Sequence, residues 1–145
     1  MPEKIKRFRI SIYGVLISKG HVLLTETRGK SGVDFVNFPG GGIARGEEPA
    51  SALVREFKEE TGLVVRPVQI IHASMAFHRS FVKPDRQLFG TYWLVERLKG
   101  KLNEEGNGDD VKRCFWATKD ELADLPFTTF DREVLPELMA RMAEF

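Results

Sequence analysis

Short runs of apolar and β-branched residues, separated by polar segments, make up most of the first part and the middle of the chain. The runs cover residues 10–17, 21–25, 35–38, 64–76, 87–98 and 113–117. Runs of this length, bounded by Gly, Pro, Asn or Ser, indicate β-strands. We therefore predict a hairpin from the first two runs, with its turn at residues 18–20. We also predict a break in the fourth run at Pro67, because proline cannot donate to a sheet.

The main helix is predicted over residues 49–61, where apolar residues recur on one side. Pro49 suits the first helical turn, in which the missing N–H needs no partner. Gly62 suits the left-handed position that follows the last turn of a helix. The face of this helix that we expect to pack on the core is formed by Leu53, Val54 and Phe57.

Glycine and proline set most of the remaining boundaries. Three consecutive glycines, residues 40–42, predict a loop whose backbone can approach a ligand closely. Gly90, inside a predicted strand, indicates a bulge or another close approach, and residues 103–110 have the composition of a loop. A short helix capped by Thr118 is predicted up to residue 123, and a terminal amphipathic helix over residues 131–143, which Pro136 either starts or kinks.

Predicted strands outnumber helices and surround one charged central helix. This order predicts an α/β fold in which a mixed β-sheet is layered between helices, an α/β/α sandwich. The 145 residues fit one domain, which we expect to span residues 1–145. No apolar run reaches the length of about 18 residues that indicates a membrane span, so no membrane partner is expected.

Charge and cysteine content exclude several classes of protein. Lys plus Arg number 22 and Asp plus Glu number 21, giving a formal net charge of +1, so we expect no extended nucleic-acid surface. The single cysteine, Cys114, excludes an internal disulfide and favours a reduced, cytoplasmic setting. The basic N-terminal residues lead into a predicted strand without a small-residue cleavage site, so we do not interpret them as a signal peptide.

Three carboxylates on the main helix converge on one side. With Glu56 taken as zero, Glu59 lies at about −60° and Glu60 at about +40° around the helix axis. Like charges at these spacings repel one another. A cation over the cluster would relieve the repulsion, and Mg²⁺ is usually held by one or two carboxylates together with waters and substrate phosphates. The alternative for this pattern alone is a solvated charged helix face, which is common.

The surrounding segment, residues 41–63, resembles the Nudix box. In that pattern a glycine precedes a glutamate by five intervening residues, and seven more residues lead to Arg-Glu, Glu-Glu, a glycine and an aliphatic residue. A chance match has a probability on the order of 10⁻⁹ at any start position, from average residue usage. Phe57 departs from the pattern, because an aliphatic residue usually stands there. The matching residues are Gly41, Glu47, Arg55, Glu56, Glu59, Glu60, Gly62 and Leu63.

The resemblance implies a role for each of these positions. Glu56 and Glu60 would be the main metal ligands, with Glu59 a further ligand or a base. Glu47 and Arg55 would form a structural ion pair that holds the loop against the helix, and Gly41 and Gly42 would shape the loop near the metal. The family hydrolyses nucleoside diphosphates linked to another group, usually with Mg²⁺ or Mn²⁺, and many of its members are homodimers.

The general base and the substrate-binding residues are open at this level. A base outside the box is sought in the acidic loop, where Glu105 is our first candidate beside Glu104, Asp109 and Asp110; a solvated loop is the alternative. Basic side chains that could bind substrate phosphates, most of which are ordinary surface charges, are Arg9, Arg28, Lys30, Arg79 and Arg86. Aromatic side chains that could stack on a base, if they do not simply pack in the core, are Phe35, Phe77, Phe81, Tyr92 and Trp116.

Three functions are therefore weighed. The first is a metal-dependent pyrophosphohydrolase acting on a nucleoside diphosphate derivative or a nucleoside triphosphate. The second is a nucleotide-binding or sensor module on the same fold that does not cut its ligand, although such relatives usually lose the box glutamates. The third is an enzyme acting on the 5′ end of RNA, which the near-neutral charge disfavours. The residues after the box match neither the proline of ADP-ribose hydrolases nor the tyrosine of dinucleoside polyphosphate hydrolases.

Overall fold

The computed structural model describes residues 3–29 and 32–144, which form two β-sheets and three α-helices. Lys30, one of the candidate phosphate ligands, lies outside the described residues. A 3₁₀ helix covers Lys119–Asp124. The strands and helices, in chain order, are β1 (Arg7–Val15), β2 (Ile17–Ser18), β3 (His21–Thr27), β4 (Phe35–Asn37), β5 (Gly40–Gly42), α1 (Pro49–Thr61), β6 (Leu63–Ala73), β7 (His78–Arg79), β8 (Arg86–Gly100), β9 (Val111–Thr118), α2 (Thr129–Arg132) and α3 (Leu135–Met142).

The larger sheet is mixed. Its order is β5-β1-β8-β6, and β7 also pairs with β8. Strands β1 and β8 are parallel, with Ile12 opposite Thr91, whereas β5 and β6 run antiparallel to their neighbours. The smaller sheet is antiparallel and consists of β2, β3, β4 and β9, with β3 in contact with the other three.

Two hydrophobic clusters hold helices against these sheets. One cluster joins Leu53 and Phe57 of α1 to Ile12 of β1 and to Cys114 of β9. The other joins Leu138 of α3 to residues of both sheets. Helices therefore cover both sides of a mixed sheet, which confirms the predicted α/β sandwich class.

Helix α1 agrees with its prediction at both ends. It begins at Pro49, and Gly62 follows it in the left-handed region with a φ of 83°. Phe57 is fully buried, as expected for the core face. A Cβ on Gly14 would lie only 2.7 Å from the Phe57 ring, so the bulky residue in the box is accommodated by a glycine on the strand beneath it.

Several boundary predictions were wrong. The first two runs are not one hairpin: Ile17 and Ser18 pair with β3 around a tight turn, whereas β1 belongs to the other sheet. Strand β6 passes through Pro67 without ending, because a register shift between Pro67 and Gln69 absorbs the missing donor. The terminal helix is divided into α2 and α3, so its predicted extent was wrong, whereas Pro136 lies in the first turn of α3 and starts a helix as expected.

The close approach expected at Gly90 is made by the protein itself and not by a ligand. A Cβ at this position would lie 2.9 Å from the Phe130 ring. Gly90 also accepts a hydrogen bond from the Ser74 N–H and donates one to the Ser74 hydroxyl. The glycine therefore serves the packing of α2 onto β8.

Candidate active site

The three consecutive glycines form strand β5, not the loop that we predicted. Gly40, Gly41 and Gly42 pair antiparallel with Tyr13, Ile12 and Ser11 of β1. A Cβ on Gly40 would lie 2.2 Å from the Ile12 carbonyl oxygen, and the φ of Gly40 is 146°. Glycine is needed here because two backbones approach each other more closely than any side chain allows. The result is an edge strand with no side chains, which faces the part of α1 that carries Glu56 and Glu60.

Strand β5 lies directly against two of the three box carboxylates. A Cβ on Gly41 would be 3.0 Å from the Glu56 carboxyl carbon and 3.2 Å from both of its oxygens. Glu60 is 7% exposed, and its Oε1 accepts a hydrogen bond from the Gly40 N–H at 3.4 Å. The absence of side chains on β5 therefore creates the space in which these carboxylates lie.

Burial makes both carboxylates harder to ionise. The pKa of Glu60 is raised well above its usual value, mainly by burial; the Gly40 N–H opposes this effect, while the charges of Glu56 and Asp110 add to it. Burial also raises the pKa of Glu56, although Arg55 partly offsets it. Buried carboxylates with so few donors are stabilised in the ionised form when positive charge is added nearby.

Arg55 lies at the centre of the remaining acidic groups. Its Nε is 2.8 Å from Glu47 Oε2 and its Nη2 is 3.0 Å from Glu47 Oε1. Its Nη1 is 3.2 Å from Glu56 and 3.4 Å from Glu59. Glu47 also accepts from the Ala44 N–H at 3.3 Å. One guanidinium therefore connects the segment before α1 to the helix and is shared by three carboxylates.

The chemistry of this cluster fits a hard divalent cation. All the candidate ligand atoms are carboxylate oxygens, which Mg²⁺ and Mn²⁺ prefer. Within residues 3–29 and 32–144, no three acidic, His or Cys side chains are already gathered around a common point. Glu56 and Glu59 are instead turned toward Arg55. Glu59 has 57% of its side chain exposed and can reorient at little cost.

Comparison with known proteins identifies the fold and the box together. The sequence profile described as "NUDIX domain" matches residues 6–138. The chain belongs to the Nudix family. The expected enzyme class, a hydrolase of phosphoric anhydrides, is thereby confirmed. Nudix hydrolases generally need divalent metal ions.

Relatives of this Nudix chain differ in their named substrates. The 8-oxo-dGTP diphosphatase of Escherichia coli K12 is 30% identical over 99 residues, covering 67% of this chain and 72% of that protein. An RNA pyrophosphohydrolase of Cereibacter sphaeroides is 29% identical over 138 residues, covering 87% and 85%. The solution structure of the E. coli ORF135 protein shares the fold, with a TM-score of 0.79, 21% identity, and 95% and 93% coverage.

The acidic loop of this Nudix domain brings Asp110, more than Glu105, toward the box. Asp110 raises the pKa of Glu60, and its carbonyl oxygen accepts from the Arg28 N–H at 2.8 Å. This contact places Arg28, an exposed candidate phosphate ligand, at the same end of the molecule. Glu105 lies in an exposed turn, and none of its contacts connects it to Glu56 or Glu60. Its role as a base stays a prediction.

Two other candidates, Phe35 and Arg79, lie in strands β4 and β7. Phe35 packs edge to face against Phe81 with ring centroids 6.0 Å apart, so an aromatic pair connects β4 to the segment after β7. Phe81 is 66% exposed. The Arg79 guanidinium donates to the carbonyl oxygens of Glu3 and Pro84 and lies 5.8 Å from the Phe77 ring centroid. Arg79 is therefore engaged by its own chain and is not directed at the box.

A buried polar pair beside β5 was not singled out by its sequence pattern. The Tyr92 hydroxyl donates to Asp131, which is 3% exposed. Tyr92 also stacks on Tyr13, with centroids 5.1 Å apart. Burial raises the pKa of Asp131 to about 7, although the Tyr92 hydrogen bond opposes this. Tyr92 is thus a core residue with a polar contact, and Asp131 lies in a short helix that the sequence placed at the start of a longer one.

One cavity in this Nudix domain lies apart from the box carboxylates. It has a volume of about 490 Å³ and is lined by residues that include Leu16, Val68 and Trp116. None of the residues that line it belongs to the box segment, residues 41–63. The carboxylate cluster, and not this cavity, is therefore the candidate site. None of the described helices is long and apolar enough to cross a membrane.

Proposed function

We propose that the chain is a Mg²⁺-dependent pyrophosphohydrolase that acts on a nucleoside diphosphate derivative or a nucleoside triphosphate. The observation that carries the proposal is the pairing of side-chain-free β5 with Glu56 and buried Glu60. This arrangement leaves space and uncompensated negative charge together, as a cation site for phosphate chemistry requires. Mn²⁺ is the alternative ion, because it prefers the same ligands.

The box carboxylates divide between holding the cation and handling a proton. Glu56 and Glu60 would hold the ion, since both lie against β5 and both have raised pKa values without it. A bound divalent cation would make a coordinated water more acidic and offset the charge of the leaving phosphate. Glu59, which is more exposed than Glu56 and Glu60, would accept the proton of the attacking water. Glu105 is the base candidate outside the box, and Asp110 is the better placed of the two.

The other box residues support this arrangement. Arg55 and Glu47 would fix the segment before α1, because their two-point ion pair connects it to the helix. Gly41 and Gly42 would leave the approach to the carboxylates open. The helix and strand therefore position the reacting groups, which relatively mobile loops do less well.

Substrate contacts are proposed for the groups around this centre. Phe35, paired with Phe81, would stack on the base, because both rings offer apolar faces at the end of β4. Arg28, next to Asp110, would bind a phosphate. Arg79 is a weaker candidate, since backbone carbonyls already occupy its guanidinium.

Three further parts of the proposal concern the whole protein. We propose one domain over residues 1–145, of which the family profile matches residues 6–138. A cytoplasmic location agrees with Cys114 being a free, buried thiol. A homodimer is the assembly to test first, by size-exclusion chromatography with light scattering.

The test is a phosphate-release screen of the native protein with Mg²⁺. The panel contains nucleoside triphosphates, 8-oxo-dGTP, nucleotide sugars, ADP-ribose and 5′-triphosphorylated RNA, coupled to phosphatase or pyrophosphatase. We expect turnover of at least one free nucleotide that stops when EDTA is added. The Glu60→Gln variant should lose on the order of 10²–10³-fold of the activity, while Glu48→Gln should be unaffected, because Glu48 is exposed at the start of α1 and makes no capping bond.

The alternatives separate clearly in this screen. Tight nucleotide binding without turnover in Mg²⁺ or Mn²⁺ would favour the sensor module. Preference for triphosphorylated RNA over all free nucleotides would move the substrate to RNA ends. Equal activity in Glu60→Gln and the native protein would refute the assignment of the site.

A further inference from the structure

The guanidinium of Arg9 lies against β5 beside the box carboxylates. The Cβ position of Gly42 is 3.3 Å from Arg9 Cζ and Nη1 and 3.4 Å from Nη2. The Cβ position of the adjacent residue, Gly41, is 3.0 Å from the Glu56 carboxyl carbon. Successive residues of a strand are about 3.3 Å apart along the chain. Strand β5 is therefore flanked by a carboxylate at one position and a guanidinium at the next.

This guanidinium is not used by the fold. Arg9 is exposed, and within residues 3–29 and 32–144 its guanidinium makes no hydrogen bond and no ion pair with a carboxylate. Glu56 is near enough for Arg9 to lower its pKa, but the ion pair of Glu56 is with Arg55. A positive charge is thus left without a partner at the edge of an acidic cluster, where a structural role would have paired it.

Gly42 is what allows Arg9 to take this position. Ser11 of β1 lies opposite Gly42, and Arg9 precedes Ser11 by two residues, so all three face the same side of the sheet. Gly42, unlike Gly40, has no positive φ that would require glycine. A methyl group there would press on the guanidinium, so the absence of a side chain serves the arginine and not the backbone.

We propose that Arg9 binds a non-bridging phosphate oxygen of the anhydride substrate, and that Gly42 provides the surface on which its guanidinium rests. This inference rests on the proposed function and extends it by a specific anion ligand outside the box. A guanidinium suits the task because its N–H groups form a fixed fork that matches phosphate oxygens. Arg9 would act on substrate affinity, whereas the carboxylates act through the cation.

The test compares Arg9→Gln, Arg9→Lys and Gly42→Ala with Arg7→Gln as the matched control. Arg7 lies on the same strand and the same side, is also exposed, and is farther from β5. Three quantities are measured: KM and kcat on the best substrate of the screen, and the affinity for inorganic pyrophosphate with Mg²⁺ by calorimetry. We expect Arg9→Gln to raise KM and the pyrophosphate Kd about ten- to a hundredfold, as for loss of one charged donor.

The companion variants define the mechanism. Arg9→Lys should recover part of the affinity through its charge, and Gly42→Ala should show a smaller loss in the same direction. Mg²⁺ affinity should not fall in Arg9→Gln, because the variant removes a positive charge from beside Glu56. A pyrophosphate Kd for Arg9→Gln equal to that of Arg7→Gln would overturn the inference.

The two proposals fail in different ways. A native protein that turns over no nucleotide would remove the proposed function. Weaker pyrophosphate binding by Arg9→Gln would still assign the anion site in that case. Normal turnover with no effect of Arg9→Gln would remove the anion site and leave the proposed function intact.

Discussion

The molecule has two clusters of carboxylates and hydrogen-bond donors. Carboxylates outnumber donor groups in the first cluster, and donor groups outnumber carboxylates in the second. In the first cluster, Glu47 from the segment before α1 and Glu56 and Glu59 of α1 share the single guanidinium of Arg55. Buried Glu60 has one long hydrogen bond from a backbone N–H. Between α2 and α3, the single carboxylate of Glu133 accepts from four donors: His72 Nε2 at 2.8 Å, His78 Nε2 at 2.6 Å and the N–H groups of Met75 and Ala76.

The pKa values respond in opposite directions. Burial raises the pKa of Glu60 well above its usual value. Burial alone would also raise the pKa of Glu133, but the hydrogen bonds from His78, Met75, His72 and Ala76 outweigh it and lower the pKa to about 2. A carboxylate with enough donors needs nothing more and acts as a structural link. We propose that the carboxylates of α1, which have too few donors, bind a cation from solution.

The largest contrast is expected from Glu60→Gln. Loss of this carboxylate should lower kcat/KM with Mg²⁺ by on the order of 10²–10³-fold, the range for removal of one charge-stabilising group. The metal-free protein should be no less stable than the native one, because the ionised carboxylate gains little from a single 3.4 Å hydrogen bond. Steady-state kinetics and urea unfolding in EDTA measure the two effects. A variant that loses stability and keeps its activity would invert the comparison.

The reverse pattern is expected from Glu133→Gln. An amide presents only one acceptor oxygen to the two half-buried histidines and the two exposed backbone N–H groups, so some of these donors would lose their partner. We expect a loss of about 2–3 kcal/mol in the free energy of unfolding and an unchanged Mg²⁺ affinity. Glu137→Gln is the control, because Glu137 is an exposed residue of α3 paired with Arg141 at 3.5 Å.

The same variant has a defined pH signature. The pKa of Glu133 is about 2 in the folded protein and 4.5 without its partners, so its stabilisation is complete above pH 4.5. It is lost as the pH falls from 4.5 toward 2. The stability difference between the native protein and Glu133→Gln should shrink over that window, as measured by urea unfolding at a series of pH values. A constant difference would show that the carboxylate charge is not the source of the stability.

A smaller effect is expected at Asp131. Its carboxylate has one side-chain donor, the Tyr92 hydroxyl, and therefore fewer donors than Glu133. Its pKa in the folded protein, about 7, is above its usual value of 3.8, so native stability should decrease as the pH rises from 3.8 toward 7. Asp131→Asn keeps an acceptor for Tyr92 and removes this dependence. We expect a gain of about 1 kcal/mol at pH 8 and none near pH 4, measured by thermal unfolding. Equal stabilities at both pH values would reject the burial effect.

The sequence predicted the helix and its boundaries because the signals are local. Pro49 and Gly62 act through their own backbone geometry, and the core face of α1 follows from helical periodicity. The Arg55–Glu47 contact was likewise expected, from the box pattern. Such features need no knowledge of which strand lies next to which.

Features set by distant parts of the chain were missed for the same reason. Gly40–Gly42 was predicted as a loop, since glycine usually interrupts strands, but β1 offered it a pairing partner. The Glu133 hub joins residues 61 positions apart in sequence at its His72 contact, and no local pattern marks it. Arg9 was one basic residue among five candidates, and its place against Gly42 depends on the pairing of β5 with β1.

We propose that the α1 carboxylates have too few hydrogen-bond donors to balance their charge and that a divalent cation supplies the missing positive charge. Calorimetric titration of the metal-free protein with Mg²⁺, and then with Mn²⁺, tests it most directly, beside Glu60→Gln and Glu133→Gln. The account predicts saturable binding in the native protein and in Glu133→Gln, and at least about tenfold weaker binding in Glu60→Gln. Equal binding by the native protein and Glu60→Gln, or weakened binding only in Glu133→Gln, would contradict it.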